Sequence, residues 1–137
     1  MIRYKLYKNN NQKSAYFGKW YGRAVSIETI DTLGLAEHMA SHNSPYSEGV
    51  IKGVLTDMIK CIKEIVLDGK SVKLDDLAIF SCGIRCSPAD SASEFSVSAN
   101  INGVRLRARA TGRLSTSNLN LAAQYKEHGE YSVPESE

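Results

Sequence analysis

The sequence lacks several features that would place it in large classes of protein. No apolar run approaches the roughly 18 residues that a helix needs to cross a bilayer, which excludes an integral membrane protein. The N-terminus has no apolar stretch of the signal-peptide kind, so we expect a cytoplasmic protein. The three cysteines cannot pair off and show no Cys-x-x-Cys spacing, which argues against a disulfide framework.

Motifs of the common enzyme classes are missing as well. The chain has no Walker-type phosphate loop, no Gly-x-Ser-x-Gly elbow and no metalloprotease motif. His38 and His42 have a spacing that can hold one metal ion, but no obvious third ligand accompanies them, and Cys82 and Cys86 lack a second pair. We therefore expect no enzyme activity, no metal, no cofactor and no small-molecule substrate.

What the chain does have is an average globular composition, with 42% hydrophobic and 23% charged residues. That balance excludes a mostly disordered chain. A domain of 137 residues buries roughly two-thirds of its unfolded surface, which is enough for one core. The sequence predicts a single domain over residues 1–126, followed by an acidic mobile tail over residues 127–137.

The formal net charge of +2 is the sum of a basic part and an acidic part of the chain. Residues 114–137 contain one Lys and four Glu, a net charge of −3, which leaves +5 for residues 1–113. The first 23 residues contain six Lys or Arg and no acid. The total charge neither demands nor excludes a nucleic-acid partner, because the position of the charge matters more than its sum.

Two helices are predicted in the first half of the chain. The first begins at Asp31 or Thr32 and runs to about His42, and the second opens at Ser44-Pro45 and ends before Gly69. The apolar residues of the second helix cover more than one stripe: Val50, Ile51, Val54, Leu55, Met58, Ile59, Ile62, Ile65 and Val66. Such a helix must be covered on two sides, so we expect a second copy of the protein in a homodimer.

Alternating patterns predict strands on both sides of these helices. Residues 1–30 look extended, and residues 71–74 and 77–85 alternate after the second helix. Residues 95–101 alternate again, Asn102-Gly103 is a hairpin signal, and residues 104–110 form the returning strand. A flexible connection is expected over residues 87–94, and a short last helix over residues 117–125.

The returning strand carries the most site-like pattern. Arg105, Arg107 and Arg109 occupy alternate positions and project from one face, while Leu106 and Ala108 project from the other. Three guanidinium groups along one face repel each other unless an anion lies across them, and a phosphate backbone would supply that anion. A solvated outer sheet face is the alternative, and the residues alone do not decide between the two.

The order of elements then resembles a known family. Residues 35–40 are similar to the first helix, and residues 47–67 to the long second helix, of the HU/IHF-type histone-like bacterial DNA-binding proteins. Residues 67–81, LDGKSVKLDDLAIFS, resemble the family segment L-x-x-G-x-x-V-x-L-x-x-[FL]-G-x-F. The match covers about 55 residues closely, within an HU-like core over residues 31–113, and residues 1–30 resemble the extra strands of a longer, divergent branch.

The resemblance implies an α+β fold in which two helices form the base, an antiparallel sheet extends into a β-arm, and two chains intertwine as a homodimer. It implies a nucleoid-associated protein that binds duplex DNA at the minor groove and the phosphates with low sequence specificity, as the HU and IHF proteins do. On that basis Arg105, Arg107 and Arg109 are the best candidate DNA contacts. Arg85 on the outgoing strand and Arg113 after the returning strand complete the candidate site.

Two departures keep an alternative open. The family's arm tip carries an Arg-Asn-Pro motif, which is absent here, and Pro88 lies between Cys86 and the acidic Asp90 instead. Ala78 replaces the usual Gly before the strand. The alternative is an HU-like dimeric structural or protein-interaction module in which DNA binding is weak or lost.

Overall fold

The computed structural model describes residues 1–130, which form two compact units. One unit contains residues 1–30 and the C-terminal residues from Asn120 on, and the other contains residues 31–119. The chain therefore leaves the first unit, builds the whole of the second and returns. The single domain over residues 1–126 stays a prediction from the sequence.

The first unit is a three-stranded sheet in the order β2-β1-β6. Its strands are β1 (Ile2–Lys8), β2 (Trp20–Val25) and β6 (Tyr125–Glu130). β1 and β2 are antiparallel, whereas β1 and β6 run parallel, with an irregularity between Tyr4 and Lys5. Residues 127–130, which were expected to begin the acidic tail, are the end of β6, and residues 131–137 lie outside the described part of the chain.

The second unit begins with two helices, α1 (Thr32–Ser41) and α2 (Glu48–Leu67). Asp31 caps α1 by accepting a hydrogen bond from the Gly34 amide at 2.9 Å, as the sequence predicts. The predicted start of α2 at Ser44-Pro45 is one turn too early. Ser44 instead accepts from the amide of Tyr46, and Ser47 is the residue whose hydroxyl caps α2.

The rest of the second unit is an antiparallel sheet in the order β3-β4-β5. Its strands are β3 (Val72–Leu74), β4 (Ala78–Cys86) and β5 (Ile101–Ala110). One short helix, α3 (Val97–Asn100), precedes β5, and a 3₁₀ turn (Gly112–Leu114) and the helix α4 (Thr116–Ala122) follow it. The two predicted helices, the antiparallel sheet and the short last helix are all present.

The strand predicted over residues 95–101 is wrong, and so is the turn at Asn102-Gly103. Ser96 caps α3 by accepting from the Ala99 amide, and Asn100 ends it with a side chain that is 6% exposed. The Asn100 amide group donates to the carbonyls of Ser87 and Pro88, and its Oδ1 accepts from the Ser96 amide. These bonds close the loop at the ends of β4 and β5 and leave Asn102 and Gly103 inside β5.

The core of the second unit is small. Its buried hydrophobic residues are Ala36, Ile51, Val66 and Ala78. Large apolar side chains of the same elements stay exposed, among them Val54 at 63% and Leu106 at 62%. No helix within residues 1–130 combines the length and the hydropathy that crossing a membrane requires.

Candidate nucleic-acid interface

The strand register sorts the side chains of the second sheet onto two faces. Residues paired directly in an antiparallel ladder lie on the same face, and successive residues alternate between faces. The pairs Ser81↔Arg107 and Gly83↔Arg105 therefore share a face, whereas Phe80↔Ala108 belong to the other. One face carries the cations Lys73, Arg85, Arg105, Arg107 and Arg109. We call it the arginine face.

The opposite face of this sheet is apolar and lies towards α2. An apolar groove of about 400 Å³ separates them, with Met58, Ile62 and Val66 of α2 on one wall and Phe80, Val104 and Leu106 of the sheet on the other. The arginine face consequently points away from α2. All four of its arginines are exposed, and neither β4 nor β5 contains an Asp or Glu.

Arg107 has a specific support on this face. A Cβ atom at position 83 would come within 2.5 Å of the Arg107 Nε and 3.0 Å of its Cζ, so the guanidinium crosses over the backbone of Gly83 on the neighbouring strand. Gly83 is buried although it belongs to an outer face, because Arg107 covers it. The glycine thus lets one arginine lie flat against the sheet.

Arg113 is placed differently from the other four candidates. It belongs to the 3₁₀ turn after β5, where its backbone amide donates to Asp76 Oδ1 at 3.2 Å and its Nε lies 3.7 Å from Asp76 Oδ2. Asp76 has a left-handed backbone with φ of +63°, and Gly112 has φ of +58°. A Cβ atom on Gly112 would overlap the Asp76 carboxylate. Arg113 is therefore tied to the β3–β4 turn, and its charge is partly balanced there.

Sequence reasoning missed two members of this surface. Lys73 of β3 lies in register with Ile79, which pairs with Arg109, so it extends the charge across the third strand. The alternation Val72-Lys73-Leu74 was a sufficient signal for its orientation. The second missed member is Gly83. Nothing in the sequence marks it, because its role depends on the side chain of Arg107, 24 positions away.

The residues weighed for metal or thiol chemistry do not assemble into a site within residues 1–130. His38 and His42 lie side by side, with their Nε2 atoms 3.1 Å apart, and both rings are exposed. Cys61, Cys82 and Cys86 are free thiols. Among the described residues, no three His, Cys, Asp or Glu side chains come together as metal ligands would.

Comparison with solved structures gives a match over most of the fold. A crystal structure of a "putative bacterial DNA binding protein" from Bacteroides vulgatus ATCC 8482 superposes with a TM-score of 0.69 at 12% identity. The alignment covers 96% of this chain and 50% of that chain, so the present chain spans about half the length of its structural relative. At this identity the likeness shows the fold alone. No curated protein matches the sequence.

The family comparison covers the second unit and the N-terminal part of the first. The model described as "HU domain fused to wHTH, Ig, or Glycine-rich motif" matches residues 1–120, which include the first two strands as well as the HU-like core. Residues 1–30 are thus part of the family's own domain. The HU-like resemblance read from the sequence is confirmed, and the chain belongs to this family of HU domains, HU-HIG.

Proposed function

We propose that this protein binds duplex DNA as a homodimer, with low sequence specificity, through the arginine face of its second sheet. One observation carries the proposal: β4 and β5 present four exposed arginines on one face and contain no acid. It is a non-enzymatic, nucleoid-associated role, in which Arg85, Arg105, Arg107 and Arg109 contact phosphates and the minor groove.

The chemistry of the face favours phosphate over base recognition. Guanidinium groups bind phosphate oxygens with paired, charge-assisted hydrogen bonds. Contacts to phosphates position a protein on DNA without reporting the sequence. Cations repeated along one strand face therefore predict binding that is tight at low salt, weak at high salt and similar on unrelated sequences.

Dimerisation is supported by the apolar surface that the second unit leaves uncovered. Val50, Val54 and Ile59 of α2 are each more than half exposed, as are Val104 and Leu106 on the inner face of β5. Contiguous apolar surface of this kind marks an interface in a soluble protein. A second copy of the chain would cover it and would double the number of arginines presented to one duplex.

A salt titration with duplex DNA tests the proposal. Two 30-base-pair duplexes of unrelated sequence are titrated with the parent protein and with the Arg105→Ala/Arg107→Ala variant at several salt concentrations. We expect the variant to lose affinity equally on both duplexes, and the slope of log K against log salt to fall by about 2 per protomer, roughly 0.9 per lost phosphate contact.

The matched control removes two cations from α2 in the same unit, as Lys52→Ala/Lys60→Ala. Both side chains are exposed and lie outside the arginine face. This control should keep the parent's affinity to within about twofold. Parent-like binding by the arginine variant would overturn the assignment of the face.

A second candidate function rests on the loop between β4 and α3. Residues 87–96 contain Asp90 and Glu94 and no Lys or Arg, so this end of the sheet is acidic where a DNA-binding arm would be basic. That observation favours an HU-like dimer that acts as a structural or protein-interaction module. Absence of a gel shift with long duplex DNA at both low and moderate salt would favour this second function over the first.

A further inference from the structure

The N-terminal sheet has a basic and aromatic face of its own. Register pairs Lys5 with Arg23 and Tyr7 with Tyr21 across β1 and β2, and it aligns Arg3 with Lys126 of β6. Aligned residues share a face of the sheet. One face therefore gathers Arg3, Lys5, Tyr7, Tyr21, Arg23 and Lys126, and we call it the tyrosine face.

Acidic residues are absent from the positions that form this face. The first acid of the sequence is Glu28, beyond the end of β2. Glu127 of β6 is aligned with Tyr4, so it lies on the opposite face, together with Leu6 and Trp20. The charge of the tyrosine face is therefore of one sign over the described strands.

Like charges stand directly opposite each other on this face. Lys5 faces Arg23 across β1 and β2, and Arg3 faces Lys126 across β1 and β6. Directly opposed like charges destabilise a sheet by a few tenths of a kcal/mol to about 1 kcal/mol per pair. Arg3, Lys5 and Lys126 make no ion pair with any other residue of 1–130. An anion lying beside Arg3, Lys5 and Lys126 would turn the repulsion among these three charges into attraction.

The aromatic side chains add a second kind of binding surface. The rings of Tyr7 and Tyr21 stack with centroids 5.7 Å apart and planes inclined by 27°, and the Arg23 Cζ lies 5.4 Å from the centre of the Tyr7 ring. Tyr21 is 38% exposed on the edge strand β2. Aromatic rings and guanidinium planes in a basic sheet surface are the groups on which unpaired bases stack.

We propose that the tyrosine face binds single-stranded nucleic acid, separately from the duplex site on the arginine face. The two faces differ in residue composition, and this difference supports a single strand as the ligand of the tyrosine face. The arginine face holds cations and no aromatic residue, since Phe80 of β4 is on the other side of that sheet. A duplex exposes phosphates but keeps its bases stacked on each other, so only a single strand can use both the cations and the rings of the tyrosine face.

The test measures single-strand and duplex binding on the same variants. A fluorescently labelled 20-nucleotide DNA strand of mixed sequence, the RNA of the same sequence and the corresponding DNA duplex are each titrated by anisotropy. Tyr21→Leu is expected to weaken single-strand binding about fivefold or more, the lower limit for one lost base stack, and to leave duplex binding within about twofold. The titration with RNA shows whether single-stranded RNA binds the tyrosine face as single-stranded DNA does.

Three further variants keep the test independent of folding. Lys5→Gln removes one charge from the tyrosine face and should lower the salt slope for the single strand by about 0.7, whereas Lys8→Gln, on the same strand but on the opposite face, should leave the slope unchanged. Tyr21→Phe keeps the ring and should keep single-strand affinity. Thermal melts of each variant verify that the sheet is intact.

The outcomes separate this inference from the proposed function. Arg105→Ala/Arg107→Ala should lose duplex binding and retain the single strand. The inference is overturned if Tyr21→Leu and Lys5→Gln bind the single strand as the parent does, or if they weaken duplex and single strand equally. It is also overturned if only the arginine variant loses the single strand.

Discussion

The guanidinium of Arg107 lies across the backbone of Gly83, on the strand beside its own. Position 83 has room for this only because it lacks a Cβ, which would meet the Arg107 Nε at 2.5 Å. Most surface arginine side chains are flexible, whereas the side chain of Arg107 lies along the sheet. Gly83 carries no charge, yet it determines where the positive charge of Arg107 lies on the proposed DNA-binding surface.

Gly83→Ala should therefore reduce DNA affinity while leaving the fold in place. The new methyl group displaces the end of a flexible side chain, so we expect a shift in melting temperature of only a few degrees. Loss of one well-placed charge-assisted contact should weaken duplex binding by roughly three- to tenfold, as measured by anisotropy.

The control for this variant is Gly103→Ala, on the arginine face of β5, where no atom lies within 4 Å of the added Cβ. It should bind DNA as the parent does. Equal effects of the two substitutions would show that the placement of Arg107 over Gly83 is irrelevant to binding.

Gly112→Ala should destabilise the second unit. The residue has φ of +58°, where a side chain is strained, and its Cβ would overlap the Asp76 carboxylate. We expect a loss of about 1–3 kcal/mol in the free energy of unfolding, measured by urea denaturation.

Gly49→Ala serves as the comparison, because the position is helical and no atom lies within 4 Å of the added Cβ. Its stability should stay the same or rise by up to about 1 kcal/mol. If Gly112→Ala is as stable as Gly49→Ala, the Asp76–Gly112 contact does not constrain the turn.

Asn100→Ala should loosen the loop that joins β4 to β5. The buried amide satisfies the carbonyls of Ser87 and Pro88 and the amide of Ser96, and all three would lose a partner. We expect a loss of about 1–3 kcal/mol and faster proteolytic cleavage within residues 87–96. Asn102→Ala, at an exposed position two residues along, should leave both measurements unchanged.

Leu106→Glu should separate the proposed dimer. The side chain is 62% exposed on the apolar face of β5, and a carboxylate there would be buried by a second copy without a partner. Sedimentation velocity at micromolar concentration is expected to give the parent as a dimer and the variant as a monomer. Lys60→Glu changes charge on an exposed part of α2 and should remain dimeric. A monomeric parent would contradict the homodimer directly.

Much of the fold follows from local sequence signals. The helix cap at Asp31 and the left-handed exit at Gly69, with φ of +77°, are short-range devices with clear residue preferences. The alternation of residues along β5 is enough by itself to put three arginines on one face. These features need only neighbouring residues, so periodicity and cap chemistry suffice to predict them.

The errors arose where distant residues decide the structure. Asn102-Gly103 has the composition of a tight turn, yet the bonds of Asn100 to Ser87 and Pro88 close the loop before it. The pairing of β1 with β6 could not be anticipated either, because more than 115 positions separate Ile2 from Tyr125 and a parallel pair leaves no local signature. Only Lys126 joins the tyrosine face through this distant pairing, whereas its other five residues belong to β1 and β2.

The parallel pairing of β1 with β6 also sets an order of events during synthesis. Residues 31–119 leave the ribosome as one uninterrupted stretch and can build their helices and antiparallel sheet while translation continues. Among the described strands, β1 and β2 emerge before β6, so the β1–β6 ladder can form only after β6 has been synthesised. The three-stranded sheet is therefore completed only after residues 31–119 have been synthesised, and Lys126 joins the tyrosine face at that point.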